Sequence, residues 1–583
     1  GVTFDDTAEN TNVVVTENVA PKTITFNNSE KSYVLSGDSI VGGGTLTKNG
    51  TGIALITNDN HIGNTTINGG TLAVRTLANS VGHDYGALGG VKQTITINNN
   101  AALGIRADVT ANQPIVIGTG GATIDVETGT TLTMSRGISA ANAKDAVLTK
   151  SGYGTLTLGA DNKMSKLLVK AGSVNTVEGS GVVQLPATVE FVSGTVTDPS
   201  GENSYASNNA NFVVPELCKG TLVAKPRCEY KGSLTGTGTF TVYATGVRCY
   251  FAGDWSQFEG TIIPALRKRG TYDPSFEFTS TKGLGKATLQ MDEGVEFKNN
   301  GHNVELGAVT GKGTLSGTGS YILGANNSDF TYSTPCSSPI IKRGSGMMDI
   351  RALGILTGSI TVEEGTLANT MATYKTKLNG TSSITLKGTS KFRGATYVNS
   401  CLMNDNSSLE LMRTTSTAGP VTFKTDGMFY ASANTMVTFK IASVKSASKL
   451  EIGTALTLGG ITVVLADDYT PASGDSFTLW TSSRLTAAPT AITLPTLPDG
   501  LYWDTTGLSQ AEGVLRVTND PTAINDITVS KAADYEVYTV GGVRLGTVQT
   551  TKANLRKAVR RLAGAAGTYI VRSANGEQKL MVK

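Results

Sequence analysis

Arg106, Asp108, Asp125 and Glu127 are the residues of this 583-residue chain whose types and spacing could do chemistry. In "LGIRADV" strand alternation sends Ile105 and Ala107 inward and Arg106 and Asp108 outward; in "TIDVET" Ile124 and Val126 go inward and Asp125 and Glu127 outward. With a turn of about 19 residues, Arg106 stacks beside Asp125 and Asp108 beside Glu127, while Asp145 falls on the turn after Asp125. A polysaccharide lyase could use such a face: Asp108, Asp125 and Glu127 would hold calcium, the calcium would neutralise a uronate, and a cationic side chain would act as base. The competing explanation is an ion-pair ladder that keeps the face soluble and stabilises it by about 0–1 kcal/mol per pair. No second basic residue lies in register and no aromatic wall accompanies the four, so the ladder is the preferred reading and the catalytic and metal roles stay secondary. Asp467 and Asp468 in "ADDY" have the same standing, with a turn as the simpler explanation.

Other chemistry is sparse. The three histidines, His61, His83 and His302, are not at metal-ligand spacing. No nucleophile elbow, phosphate loop, zinc-protease helix or calcium loop is present, and G-x-G strings such as "GTGTF" are not followed by a helix that could seat a phosphate. Five cysteines with no C-x-x-C pair write neither a zinc module nor a disulfide framework, although Cys218 could bridge Cys228. A net charge of +3 leaves no field for nucleic acid. Three tryptophans do not make a sugar-binding platform, and Trp480 and Trp503 read as packing residues.

The elements that must position these residues are strands. Charged residues are 16% of the chain and glycines number 69, the composition of β-structure with many tight turns. Segments such as "KTITF", "QTITINNN", "GTLTL" and "ALTLGGITVVL" alternate small polar with β-branched or Leu residues and stop at Gly, Asn or Asp. Helical periodicity is confined to "KANLRKAVRRLAG", which has the spacing of a short amphipathic helix. No apolar run approaches the ~18 residues of a membrane span, and Gly1 opens in strand-like text, as in a mature or trimmed chain.

The sequence also repeats. "LTKNGTGIALITNDNHIGNTTINGGTL" (46–72) returns as "LTKSGYGTLTLGADNKMSKLLVKAGSV" (148–174), and "IIKRGSGMMDIRALGILTGSITVEEGTL" (340–367) is a third copy keeping Lys342, Gly344, Gly346 and Gly365. A period near 20 predicts a parallel β-solenoid, with the offset of 102 as about five stacked turns. Glycines would serve corners of positive φ, and Asn in "NGG" and "NNN" would form ladders between turns. An array of β-sandwiches is the rival fold.

The repeated text, with "VTFDD…ITFNNSEKSYVLSGDSIVGGGTLTKNG" and "GDWSQFEGTI", resembles the autotransporter-associated β-strand repeat, or passenger-associated transport repeat, of bacterial surface proteins. Residues 455–517 are similar to the segment that closes such arrays. "YEVYTVGGVRLGT…GTYIVRSANGEQKLMVK" resembles the C-terminal sorting domain of type IX secretion substrates, with "LRKAVRRLAGAAG" as a departure from its usual short link. The expected fold is therefore all-β: an elongated parallel β-solenoid (β-helix) over 1–445, a capping β-segment over 446–518 and a small C-terminal β-sandwich over 519–583. The resemblance implies a secreted protein on the outer-membrane surface of a Gram-negative bacterium, handled by outer-membrane secretion machinery through residues 535–583. The expected role is non-enzymatic, structural or adhesive, with other surface proteins, surface glycans or copies of itself as partners. The alternatives are a β-helix polysaccharide lyase or hydrolase with calcium, and a glycan-binding or accessory subunit of an outer-membrane complex.

Overall fold

Strands here are short because glycine and asparagine interrupt most apolar alternations within a few residues, and each interruption becomes a corner. The computed structural model of the protein describes residues 1–176, 185–198, 207–267, 274–280, 282–350, 356–369, 383–412, 420–520, 533–550, 555–573 and 576–582. They form two compact units, Gly1–Ser320 and Tyr321–Lys583.

The first unit is a parallel β-solenoid. Its opening sheet has seven parallel strands, among them Val2–Phe4, Thr23–Phe26, Thr45–Lys48, Thr65–Ile67, Ile95–Ile97 and Ile115–Ile117. The chain coils from it into an eleven-stranded sheet, a ten-stranded sheet and later a six-stranded one. Alternate side chains point inward, so Leu156 and Leu158 of Thr155–Leu158 are buried and Thr155 and Thr157 are half-buried on the outside. Val2, Ile24, Leu46, Thr65, Ile95 and Ile115 partner one another along one column of the opening sheet, at unequal steps in sequence, the longest being from Thr65 to Ile95. That long step carries a hairpin, Tyr85–Gly86 with Gly89–Gly90, added at a corner. The predicted Asn ladder is present: Asn68 donates to Asn49 Oδ1 at 3.0 Å and Asn98 donates to Asn68 Oδ1 at 2.9 Å.

The repeat does not stack as its offset of 102 suggested. Lys48 aligns with Ile67, Ile97, Ile117 and Ala140 in the opening sheet, whereas Lys150 lies in the eleven-stranded sheet between Ile124 and Val169. The second copy therefore lies four rungs and one face farther on. Rungs of unequal length are the reason: the hairpin insertion lengthens one rung, and the repeated text falls out of phase with the coil.

The second unit continues in the same style. Parallel pairing runs from Tyr321–Leu323 with Ile340–Lys342 to Lys449–Thr457 with Ser476–Ala487 and Gly460–Leu465 with Ala491–Thr493. The coil thus persists into the segment expected to cap it. Closure is made by Glu512–Thr518, which pairs antiparallel with Ser476–Ala487 and with Tyr502–Asp504. Trp480 is fully buried there, donating Nε1–H to the Gln510 carbonyl at 3.1 Å. A Cβ on Gly513 would stand 1.9 Å from its ring, so the closing strand can approach only at glycine. Trp503 also packs, against Phe477, with Nε1 bonded to the Pro495 carbonyl at 2.9 Å.

The C-terminal module differs from the expected sandwich. Its strands form one four-stranded antiparallel sheet, and the helix Leu555–Ala563 covers it through Leu555 and Val559, which bury against Val537, Tyr569 and Val571. Among the described residues the helix stands where a second sheet would. The amphipathic pattern in "LRKAVRRLA" is the cause, since its apolar stripe supplies the second layer.

Candidate functional site

The sequence-predicted face is assembled only in part. The register is two positions longer than the sequence spacing suggested, so Ile105 pairs with Val126 and Leu103 with Ile124. A shift of two preserves which side chains face out. Arg106 consequently still reaches Asp125: Nη2 lies 2.8 Å from the carboxylate, and Nη1 donates to the Asp125 carbonyl at 3.3 Å. Asp125 accepts a further bond from Ser151 at 2.9 Å, its true neighbour on the next rung. Asp108 sits at the corner after the strand Ala102–Ile105, and its Oδ1 accepts the backbone N–H of Thr131 at 2.8 Å. Glu127 is exposed, its carbonyl closing a turn with Thr130. Asp145 is also exposed and bonds Asn142, and is not on the rung position above Asp125. Among the described residues no three His, Cys, Asp or Glu side chains converge as a metal site.

A different set of charged residues is buried, and its pattern was not read from the sequence. Lys48, Lys150 and Lys342, one in each repeat copy, have no exposed surface. Each takes the place of an apolar residue in an inward column: Phe26, Lys48, Ile67; Ile124, Lys150, Val169; Leu323, Lys342, Val362. The stem packs in the column and the ammonium bends to a corner. Lys150 Nζ donates to the carbonyls of Ser151 and Gly152 at 2.7 Å each and to Ala171, one rung on, at 3.3 Å. Lys342 repeats this with Arg343 at 2.6 Å, Gly344 at 2.7 Å and Glu364 at 3.4 Å. Lys48 donates to Gly50, and to Asn28 and Gly69 at 3.5 Å. The ammonium thus ties two successive corners together. Burial pulls all three amines down to about 8, opposed by Asp6 near Lys48, Asp125 near Lys150, and Glu364 with Asp329 near Lys342.

The repeated glycines fit the same device. Gly172 has φ +70°, and a Cβ there would meet the carbonyl oxygens of Gly154 at 2.4 Å and Gly152 at 2.6 Å and Lys150 Nζ at 2.9 Å. A usable signal was present in the sequence: lysine recurs in all three copies at the parity of the buried Leu46, Leu148 and Ile340.

A second internal polar group surrounds Asp198, which is 6% exposed. Tyr230 donates to its carboxylate at 2.9 Å and Asn208 at 3.3 Å. Burial pushes the Asp198 carboxyl above its ordinary value, against the lowering effect of those two bonds. Cys228 and Cys249 are buried beside it and both thiols are raised, mainly by burial. All five cysteines are free, so the Cys218 to Cys228 bridge is not formed; Cys228 is buried, whereas Cys218 is partly exposed.

The outer faces of the first unit divide by charge. The eleven-stranded sheet bears Arg106 with Asp125 and Lys166 with Glu190, and the six-stranded sheet bears Lys298 with Glu296. On the opening sheet, by contrast, Thr3, Thr25, Thr47, Thr66 and Thr96 stand in one register row. Thr23, Thr45, Asn64 and Thr94 flank it two residues before, and among the described residues no outward strand position of this sheet carries a charge.

Comparison with protein-family models and with curated proteins finds no match to the chain.

Proposed function

We propose that this chain is a non-enzymatic structural or adhesive protein of a bacterial cell surface, secreted across the outer membrane with its C-terminal module as the address. One observation carries this reading: three of the four side chains that could do chemistry, Arg106, Asp108 and Asp125, are committed to holding the coil together. Asp125 is neutralised by Arg106 and bonded by Ser151, Asp108 holds the next strand's amide, and the buried lysines bind corner carbonyls. The parallel ladders supply stiffness along each coil, and the C-terminal sheet with its basic helix, a part of the second unit with a small core of its own, is the segment assigned to the secretion machinery. The repeat resemblance supports the surface location.

The test is labelling of intact cells with an antibody to the chain, together with assay of the purified protein on a uronate-polysaccharide panel with calcium. Surface labelling without turnover is expected. Turnover abolished by Asp125→Ala would establish the lyase alternative instead.

A further inference from the structure

We propose that the turn 540–543 and the last turn of the helix Leu555–Ala563 form one end of the C-terminal module that docks on an anionic lipid surface, with the valines at the acyl boundary and the arginines on headgroup phosphates. This gives a partner to the module read above as a secretion address; it rests on that reading only for where the module works, and the two fail separately.

Charge is the first observation. Residues 533–583 hold nine of the chain's 49 Lys and Arg and three of its 46 Asp and Glu, so the tail carries +6 while the rest of the chain carries −3. Four of the nine cations, Arg556, Lys557, Arg560 and Arg561, are exposed on the helix, which has no carboxylate. Arginine in the last turn also suits the helix dipole, but that explains neither Arg556 nor Lys557 in the first. Lys557 is near Lys391 and Glu410 of the coil, and that carboxylate is already held by Lys391 at 3.1 Å and by Arg393. Of the tail's three carboxylates, Asp534 stands opposite Gln549 at the far end of its strand, Glu536 is paired with Arg544 at 3.2 Å, and Glu577 is in register with Arg572.

Apolar exposure at one end of the module is the second. Val540 and Val543 are 56% and 64% exposed, and Leu562 is 38% exposed. Thr539 closes the turn, donating its N–H to the Val543 carbonyl at 2.8 Å and accepting the Gly542 N–H at 3.0 Å, so the valines are held out. The helix ends beside them. Thr539 partners Tyr569, whose hydroxyl donates to the Ala565 carbonyl at 3.0 Å just past the helix, and a Cβ on Gly546 would stand 3.1 Å from Leu562. Gly564, Ala565 and Ala566 of that link are exposed as well. An uncharged aliphatic tip flanked by arginines fits a lipid surface, where phosphates take the guanidinium forks and the boundary beneath takes the valines. The helix keeps its own apolar stripe on the sheet, so the contact is peripheral. A soluble acidic polymer or a nucleic acid offers nothing to Val540 and Val543, and three side chains cover far less than the ~800 Å² per partner of a stable protein interface.

The experiment is flotation of the purified full chain with vesicles of phosphatidylcholine alone and of phosphatidylcholine with an equal part of phosphatidylglycerol, at low and high salt, with heparin as the soluble polyanion. Binding to the anionic vesicles alone, weakened by salt, is expected. Val540→Ser with Val543→Ser should weaken it at least about tenfold, and Arg560→Gln with Arg561→Gln by a similar factor. Val81→Ser, at another exposed valine in the first unit, should leave it unchanged. Circular dichroism checks the folding of each variant; if one pair does not fold, the other decides. No binding to anionic vesicles, equal binding to neutral ones, binding untouched by either pair, or heparin binding that needs the arginines while vesicle binding ignores the valines would each overturn the proposal. Labelling of intact cells without vesicle binding rejects the lipid contact and leaves the secretion reading standing; vesicle binding without surface labelling does the reverse.

Discussion

The Lys150 ammonium and the Ala171 carbonyl meet at 3.3 Å across a rung boundary, inside a column otherwise built of Ile124 and Val169. A charge in that position is tolerated because three carbonyls surround it, and its proton is loosely held because water does not.

Stability should therefore depend on pH through these lysines. Folded, Lys150 titrates near 8; unfolded, near 10.5. Between those values the unfolded chain keeps a proton that the folded chain has released, so this contribution to stability is present above pH 10.5 and lost as pH falls through about 8. Lys150→Met removes the titration and leaves three carbonyls without their donor. The variant should be less stable by about 1–3 kcal/mol, and its deficit should widen as pH rises from 8 to 10.5. Urea midpoints of both proteins across that range decide the matter; a deficit that narrows contradicts the account.

Two glycines of nearly equal backbone angle should respond differently to alanine. Gly172 (φ +70°) is walled in by Gly152, Gly154 and Lys150, whereas a Cβ on Gly43 (φ +71°) would have nothing within 4 Å. Gly43→Ala should cost about 1 kcal/mol from the left-handed angle alone, and Gly172→Ala clearly more. Equal losses on chemical denaturation would show that the corner relaxes freely.

Asp198→Asn should separate the cost of a buried carboxylate from the value of its bonds. The folded carboxyl titrates above its unfolded value, so its stabilising contribution is full at low pH and is lost as pH rises through the folded value. The asparagine variant should gain on the parent as pH rises from 4 to 7. A parent that gains on the variant over that range would mean that Tyr230 and Asn208 outweigh burial.

Gly513→Ala should disrupt the closure of the second unit, because the added carbon has to displace the Trp480 indole. Overpacking costs about 1–3 kcal/mol or more. Trp480 fluorescence and limited proteolysis read the change, and an unchanged emission with unchanged protease resistance would contradict the packing described.

The solenoid was legible because apolar alternation and glycine corners are local signals. Ile97 opposite Ile117 follows from spacing alone. Register was less legible: Ile105 pairs with Val126 and not Ile124, since each corner absorbs its own number of residues and no strand reports the length of the next. The Arg106 to Asp125 pair survived that error because a two-residue slip keeps parity and a long arginine spans the diagonal. The helix-on-sheet layout of the tail depended on where the "LRKAVRRLA" stripe would dock, which spacing does not say. The buried lysines were missed because charge was equated with the outside, although their parity with Leu46 and Ile340 placed them within.

That the second repeat copy sits one face around from the first bears on how such a chain can grow. A duplicated segment need not equal a whole number of revolutions, because each rung asks only that the one before it offer a matching ladder and a compatible column. Insertions and duplications of many sizes are then admissible, and a duplicated surface patch comes to point in a new direction.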